Sequence, residues 1–409
     1  MKCRHCAAEL SLPLVDLGSA PPSNAYLSLA QLRAPEKTYP LTVMVCQRCW
    51  LVQTLDFAQP DELFSHDYAY FSSFSTSWLR HADEYVANVV DRFGLGPQSS
   101  VVEVASNDGY LLQFVKARGI PCLGIEPTAA TAQASRTKGI ETLEVFFGTE
   151  QAQELARQGW SADLMAANNV LAHVPDINDF LAGFAALLKP HGAATFEFPH
   201  LLHLLRENQF DTIYHEHFSY LSLTAVARIA QAKGLQVFDV EDLPTHGGSL
   251  RVYAQRADTA PHARSPRVDA MLAREVNALL TQAGGYTGFQ ARSERVKDDF
   301  VAFLIDAKRK GKRVAAYGAA AKGNTLMNFA GVRPDLIRYV VDRNPAKQHK
   351  FMPGSRIPIV AEAHLDADRP DYIVILPWNL KAEVTQQLER AHAWGARFVT
   401  AVPSLEISA

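Results

Sequence analysis

Val101-Val102-Glu103-Val104-Ala105-Ser106-Asn107-Asp108-Gly109-Tyr110-Leu111-Leu112 decides how the middle of this chain is read. A short β-branched run is followed at once by a polar turn and then by renewed apolar spacing, which predicts strand, turn and helix. The helix is expected over 111–118 and the next strand over 121–126. Upstream, Trp78, Leu79, Tyr85, Val86, Val89, Val90 and Phe93 recur at helical spacing. Downstream, strands are expected over 142–147, 163–167 and 193–198. A helix over 177–188 is stopped by Lys189-Pro190-His191-Gly192. A helix over 223–233 and two late strands, 235–240 and 250–255, complete the region.

The turn has Gly109 but no G-x-G-x-x-G, which disfavours a dinucleotide, whose pyrophosphate needs close backbone approach. Glu126, at the tip of the second strand, can take two ribose hydroxyls. A ribose-bearing ligand without phosphates, such as S-adenosylmethionine, suits this layout; the rival is an ordinary α/β turn with a surface acid. Five βα units and a closing strand pair form the pattern of class I methyltransferases, where ligands bind at the carboxyl ends of the strands. Candidate cofactor residues at those ends are Glu103, Ser106, Asn107, Gly109, Glu126, Pro127, Asn168 and Asn169.

The chain has 409 residues, 48% hydrophobic, with 40 Lys+Arg against 43 Asp+Glu. That length suggests two or three domains. The charge balance argues against a polymeric nucleic acid partner. The longest apolar runs, such as 180–188, fall far short of the ~18 residues that span a bilayer, and the start lacks a signal peptide's apolar core. A cytoplasmic protein without a membrane partner is expected.

Four of the five cysteines form two pairs, Cys3-x-x-Cys6 and Cys46-x-x-Cys49. Two such turns can complete a tetrahedral thiolate site, so structural zinc is expected on Cys3, Cys6, Cys46 and Cys49. The rival, a redox pair, would sit in a βαβ pattern that neither cysteine pair has. Arg4 and His5 lie between the first two thiols; with four thiolates present, His5 is expected to be exposed. Cys122 reads as a strand residue.

Tyr214-His215-Glu216-His217 places four potential proton carriers amid apolar neighbours. Imidazole titrates near neutrality and suits a general base. Glu216 could orient it, and Tyr214 could bond a developing oxyanion; a polar turn or second metal site remain the rivals. Thr245-His246-Gly247-Gly248 suggests close backbone approach, or only a hairpin. From 262 to 310 the chain reads as helical and charged. A second α/β unit then begins with a strand at 313–318. Gly318-x-x-x-Lys322-Gly323-Asn324-Thr325 opens its helix, where free N–H groups and Lys322 favour an anion. The next strand ends in Asp342, and Trp378 follows a later one.

Taken whole, the chain resembles the bacterial S-adenosylmethionine-dependent sugar C-methyltransferases that act on nucleoside-diphosphate keto-deoxysugars. The resemblance spans the full chain. It rests on the paired cysteines, Ser65-His66-Asp67-Tyr68-Ala69-Tyr70-Phe71, the 102–109 loop, Asn168-Asn169-Val170-Leu171-Ala172-His173, and Glu197-Phe198-Pro199-His200 running on to Tyr214–Tyr220. It implies an α/β protein: a class I methyltransferase (Rossmann-like) domain over 67–261, a zinc-binding domain over 1–66 before it, and a Rossmann-like nucleotide-sugar domain over 262–409 after it. It also implies a ketone at C4 of the sugar, deprotonation at C3 and attack of the enolate on the cofactor methyl. His217 is then the leading base, with Tyr214, Glu216, His173 and Tyr68 lining the site. Lys322, Asn324 and Thr325 would contact phosphates, and Asp342, Asn344 and Lys347 would lie near the nucleoside, with dTDP the family's usual carrier. The competing expectations are O- or N-methylation, a sugar C-5 methyltransferase, a zinc adaptor with a degenerate fold, and an NAD(P)-dependent sugar enzyme.

Overall fold

The computed structural model describes residues 1–55, 57 and 71–408. Three sheets organise the chain. The first is antiparallel, in the order Leu12–Ala20, Tyr39–Val45, Val52–Thr54, Ser219–Tyr220. Its last strand comes from far along the chain, where Val52 pairs with Tyr220 and Gln53 with Ser219.

The second sheet has seven strands, in the order Leu235–Leu243, Ser249–Arg256, Leu188–Pro199, Ala162–Asn168, Val101–Val104, Cys122–Ile125, Thr142–Leu143. The last five are mutually parallel, and Ser249–Arg256 alone runs against the other six. Val101–Val104 and Ala162–Asn168 are sheet neighbours but not sequence neighbours, so the strand order reverses between them. A crevice opens at the carboxyl ends of the strands at such a point. Val101 and Leu164 face one apolar core, while Val102, Val104 and Met165 face the other. Successive strand side chains alternate between faces, so burial on both sides favours a nearly continuous apolar run, here broken by Glu103.

The sequence reading placed a strand over 193–198; the structure extends it to Leu188–Pro199, directly after the helix Ile177–Leu187. The register slips between Ala162 and Leu164, and a side chain on Gly192 would meet the Ala162 carbonyl at 2.6 Å. The stop signal at 189–192 is therefore a bulge in the strand and not a connection. The strand expected over 142–147 is only Thr142–Leu143.

The third sheet runs Ile359–Val360, Val340–Val341, Val314–Tyr317, Tyr372–Ile375, Arg397–Thr400, Glu406–Ser408, all parallel except the last. One apolar core includes Val43 of the first sheet, Leu204 and Phe210, Phe300 of the helix Phe289–Arg309, and Val374 of the third sheet. The first and third units are thus packed together, with the 201–213 segment between them. Among the described residues no helix is long and apolar enough to cross a membrane.

Candidate active site

The two cysteine turns are built alike. Ala7 N–H donates to Cys3 O and Trp50 N–H to Cys46 O, at 2.9 and 2.8 Å. Ala7 and Trp50 both have positive φ, 57° and 64°. Cys3 Sγ lies 3.5 Å from Cys49 Sγ, and Cys6 Sγ 3.5 Å from Cys46 Sγ. All four sulfurs fall within 4.8 Å of one another. Zn–S bonds of about 2.3 Å in a tetrahedron separate sulfurs by slightly less than 4 Å, so the donor set fits zinc. His5 is part-buried, its Nδ1 2.8 Å from Asn178 Oδ1, rather than exposed as expected.

At the carboxyl ends of the central strands the Glu126 carboxylate accepts Asn107 N–H and Thr128 N–H, each at 2.9 Å. Each oxygen keeps a lone pair for a ligand hydroxyl. Ser106 Oγ, Asn168 Oδ1 and Asn169 Oδ1 are buried there without a protein partner. Such atoms are costly unless something polar meets them, so these residues fit a ribose- and amino-acid-bearing cofactor. Ala105, Asn107 and Asn169 hold left-handed φ values of 56°, 50° and 55°. Glu103 is fully buried, and burial raises its pKa well above the usual value against the pull of Tyr110. Pro127 is part-buried between Glu126 and Thr128. Gly109 differs from its sequence reading: a Cβ there would meet Ile140 Cδ1 at 2.5 Å and Ser135 Oγ at 2.9 Å. Packing against protein, not approach to a ligand, requires that glycine.

The polar cluster gathers at the same edge. His217 Nδ1 is 2.9 Å from Thr212 O and His173 Nδ1 is 2.7 Å from Glu216 O. A carbonyl only accepts, so both Nδ1 atoms carry the proton and both Nε2 atoms are basic. The two rings sit 4.6 Å apart. Tyr214 hydroxyl lies 2.8 Å from His217 Nε2 and donates to it. Burial depresses the His217 pKa well below 6.5, assisted by His173, and burial takes His173 to about 4. Both imidazoles are neutral at pH 7. Glu216 is 1% exposed, and burial raises its pKa. Its Oε1 accepts the Asn24 backbone and side-chain N–H groups at 3.2 Å, while Oε2 has no partner. His215 instead turns to Tyr39 O at 3.1 Å. Tyr68 lies outside the described residues.

Lys322 reaches this cluster from the third unit. Its ammonium is 2.9 Å from Asn379 Oδ1, 3.5 Å from His246 O and 4.6 Å from the Trp378 ring centroid. Trp378 Nε1 donates to Asp211 Oδ2 at 2.8 Å, and burial lifts Asp211 to about 6. The other members of the expected phosphate set are placed differently. Asn324 and Thr325 are 1% and 4% exposed, and they donate to Ser23 O and Ile213 O. They tie the three units together, and their donors are committed to protein. Asp342 Oδ2 accepts Ala319 N–H at 2.8 Å, in the turn ahead of the helix Ala321–Phe329. Asp342 Oδ1 also accepts Asn344 N–H, and Lys347 Nζ donates to Ala319 O, both at 2.8 Å. These three residues brace the turn.

Sequence reading missed a second buried network. Glu197, fully buried, meets Arg251 Nη2 at 2.6 Å, His81 Nε2 at 2.9 Å and Thr245 Oγ1 at 3.1 Å. Burial works to raise the Glu197 pKa, but His81 and Arg251 override it and hold it down to about 2. Trp78 stacks on His81 and Tyr110 and meets His246 edge-on, joining the cofactor turn to the Lys322 side. The available signals were two charges inside apolar strands, Arg251 and Glu197. Asn24 gave none.

Three family models cover the chain: a zinc binding domain at 3–64, a methyltransferase domain at 78–240 and a C-methyltransferase C-terminal domain at 244–403. C-methyltransferase NovU of Streptomyces niveus is 36% identical over 402 residues, 98% of this chain and 95% of that protein. A ubiquinone biosynthesis O-methyltransferase from Chelativorans sp. (strain BNC1) is 26% identical over 113 residues, 26% of this chain and 45% of its own. Magnesium protoporphyrin IX methyltransferase from Synechocystis PCC 6803, solved with bound SAM, overlaps 44% of this chain and 79% of its own at 16% identity and a TM-score of 0.33. The strand order, the carboxyl-end turn and the matched domains define an S-adenosylmethionine-dependent methyltransferase with a zinc-binding lobe. More narrowly, the chain belongs to the family of C-methyltransferases that includes NovU.

Proposed function

We propose that this C-methyltransferase acts at C3 of a nucleoside-diphosphate 4-keto-deoxysugar, with dTDP as the carrier. The observation that carries this reading is the pair of buried neutral imidazoles, His173 and His217, with both Nδ1–H groups committed to carbonyls. Carbon is a poor nucleophile until a proton leaves it. A ketone beside C3 makes that proton removable, and a neutral imidazole poised to accept it completes the requirement.

S-adenosylmethionine supplies an electrophilic methyl group when bound. Glu126, Asn168 and Asn169 hold it at the strand ends, on the evidence of their fixed or unpartnered acceptors. The Tyr214–His217 pair takes the C3 proton, with His217 Nε2 as its final resting place. His173 packs edge-on against the His217 ring and holds it in place, and Glu216 Oε2 orients a sugar hydroxyl. Tyr68 belongs to the same set by resemblance. Lys322 brings the positive charge that an enolate or a phosphate needs. The division of labour follows: residues 1–66 hold zinc, 67–261 the cofactor and 262–409 the nucleotide sugar, and the enzyme works in the cytoplasm.

The test is incubation with methyl-labelled S-adenosylmethionine and a panel of nucleoside-diphosphate 4-keto-6-deoxysugars. NMR of the product locates the methyl group. A methyl on C3 is expected. A methyl on C5, oxygen or nitrogen would overturn the reading.

A further inference from the structure

We propose that Arg4, between the first two thiolates of the metal knuckle, is a positioning residue for His173 and His217. Its guanidinium donates from Nη1 to Pro175 O at 3.0 Å and from Nη2 to Thr54 O at 3.1 Å. It also lies over the Phe218 ring, 5.4 Å from the centroid. Pro175 is two residues beyond His173, and Phe218 directly follows His217. One side chain therefore grips both imidazole-bearing segments.

Those segments are joined beneath it. Phe218 N–H donates to Ala172 O at 2.8 Å, and Thr54 N–H donates to Phe218 O at 3.2 Å. Thr54 Oγ1 lies 3.3 Å from His217 O. Arg4 is itself anchored. Its N–H donates to Gln53 Oε1 at 3.0 Å, and its carbonyl accepts from Asn178 Nδ2 at 3.1 Å. The thiolates on either side fix its root. Two carbonyls set apart in space suit the rigid fork of an arginine, which the point charge of a lysine cannot reproduce. Proton transfer requires its donor and acceptor held to within about 0.5 Å, so a clamp on both rings bears on the rate. The metal lobe thereby reaches the chemistry without touching it.

This inference rests on the proposed roles of His173 and His217, but its test does not need a substrate. Full-length zinc-loaded protein carrying Arg4→Ala, Arg4→Lys or the control Arg48→Ala, from the second knuckle, is compared with wild type. Imidazole 15N NMR reports His173 and His217, amide hydrogen exchange reports Phe218, and metal analysis reports zinc. Arg4→Ala is expected to keep its zinc, shift both imidazole signals and speed Phe218 exchange by about tenfold or more. Arg4→Lys should recover part of both, and Arg48→Ala should change neither. Wild-type signals and exchange in zinc-loaded Arg4→Ala would overturn the proposal. Should Arg4→Ala lose its metal, Arg4→Gln takes its place, and the same two readouts decide. If instead His217→Asn retained methyl transfer while Arg4→Ala shifted the signals, the base assignment would fail and the clamp would stand.

Discussion

The Tyr214 hydroxyl lies 2.8 Å from His217 Nε2 while the two rings stand 3.9 Å apart. The phenol thus covers the nitrogen proposed as the base. A proton removed by this pair passes through or displaces that hydroxyl. His217→Asn is expected to lower substrate C3 deuterium exchange and methyl transfer by about 10²–10⁴-fold. Tyr214→Phe should slow both by less. Wild-type exchange in His217→Asn would remove the imidazole from the mechanism.

Replacing Cys46 by Ser opens the thiolate set. Wild-type protein should hold one zinc per chain. Cobalt exchanged for it should give the intense visible and near-ultraviolet bands of a tetrahedral thiolate site. Cys46→Ser should lose most of the metal and unfold at lower temperature. An unaltered cobalt spectrum in that variant would mean that the four sulfurs are not the ligands.

The ion pair of Arg251 and Glu197 is buried, and Arg251 also lies 4.5 Å from the Tyr85 ring centroid. Arg251→Met takes the arginine from a buried carboxylate and leaves it His81 and Thr245. A loss of about 3–5 kcal/mol in urea unfolding is expected, with Arg251→Met/Glu197→Gln less damaged than the single change. Simple addition of the two effects would show that the charges do not act as a pair.

Gly109→Ala tests which need the glycine serves. Its φ is 74°, and the new methyl would press on Ile140 and Ser135. The variant should lose about 1–3 kcal/mol of stability. Its calorimetric affinity for S-adenosylmethionine should change far less, once measured at a temperature where it is folded. A large affinity loss at unchanged stability would restore the ligand-approach reading.

Acid should act on His173 in a defined direction. Its native pKa is depressed from 6.5 to about 4 by burial, against its bond to Glu216 O. The unfolded chain therefore binds this proton more readily, and stability is lost as pH falls from 6.5 toward 4, by up to about 3 kcal/mol for this group. Asp211 opposes it. Its native pKa is raised to about 6, so its stabilising effect grows as pH falls through that value. His173→Gln should lose less stability than wild type between pH 6.5 and 4.5. The His173 ring signal should stay flat from pH 8 to about 5.5. A midpoint near 6.5 would show the ring to be solvated.

The strand–turn–helix of the cofactor unit and the cysteine turns could be read from sequence because each is local. Val101–Val104 holds three valines around Glu103, and the thiol pairs carry their own spacing. The junction could not. Asn24 meets Glu216 across 192 residues, Asn324 meets Ser23 across 301, and Thr325 meets Ile213 across 112. No period links such positions. The phosphate reading of 318–325 followed a sound rule about helix starts, but Asn324 and Thr325 point their donors at Ser23 O and Ile213 O.

The burial of Asn324 and Thr325 limits how this enzyme can be recombined. Grafting a relative's 262–409 onto this chain would carry away the donors to Ser23 O and Ile213 O. Those carbonyls belong to the host, in the segments that bring Asn24 and Tyr214 to the site. A productive chimera must therefore exchange the 21–26 and 210–214 stretches with it. The third unit belongs to an interlocked set with those two stretches and is not a detachable part.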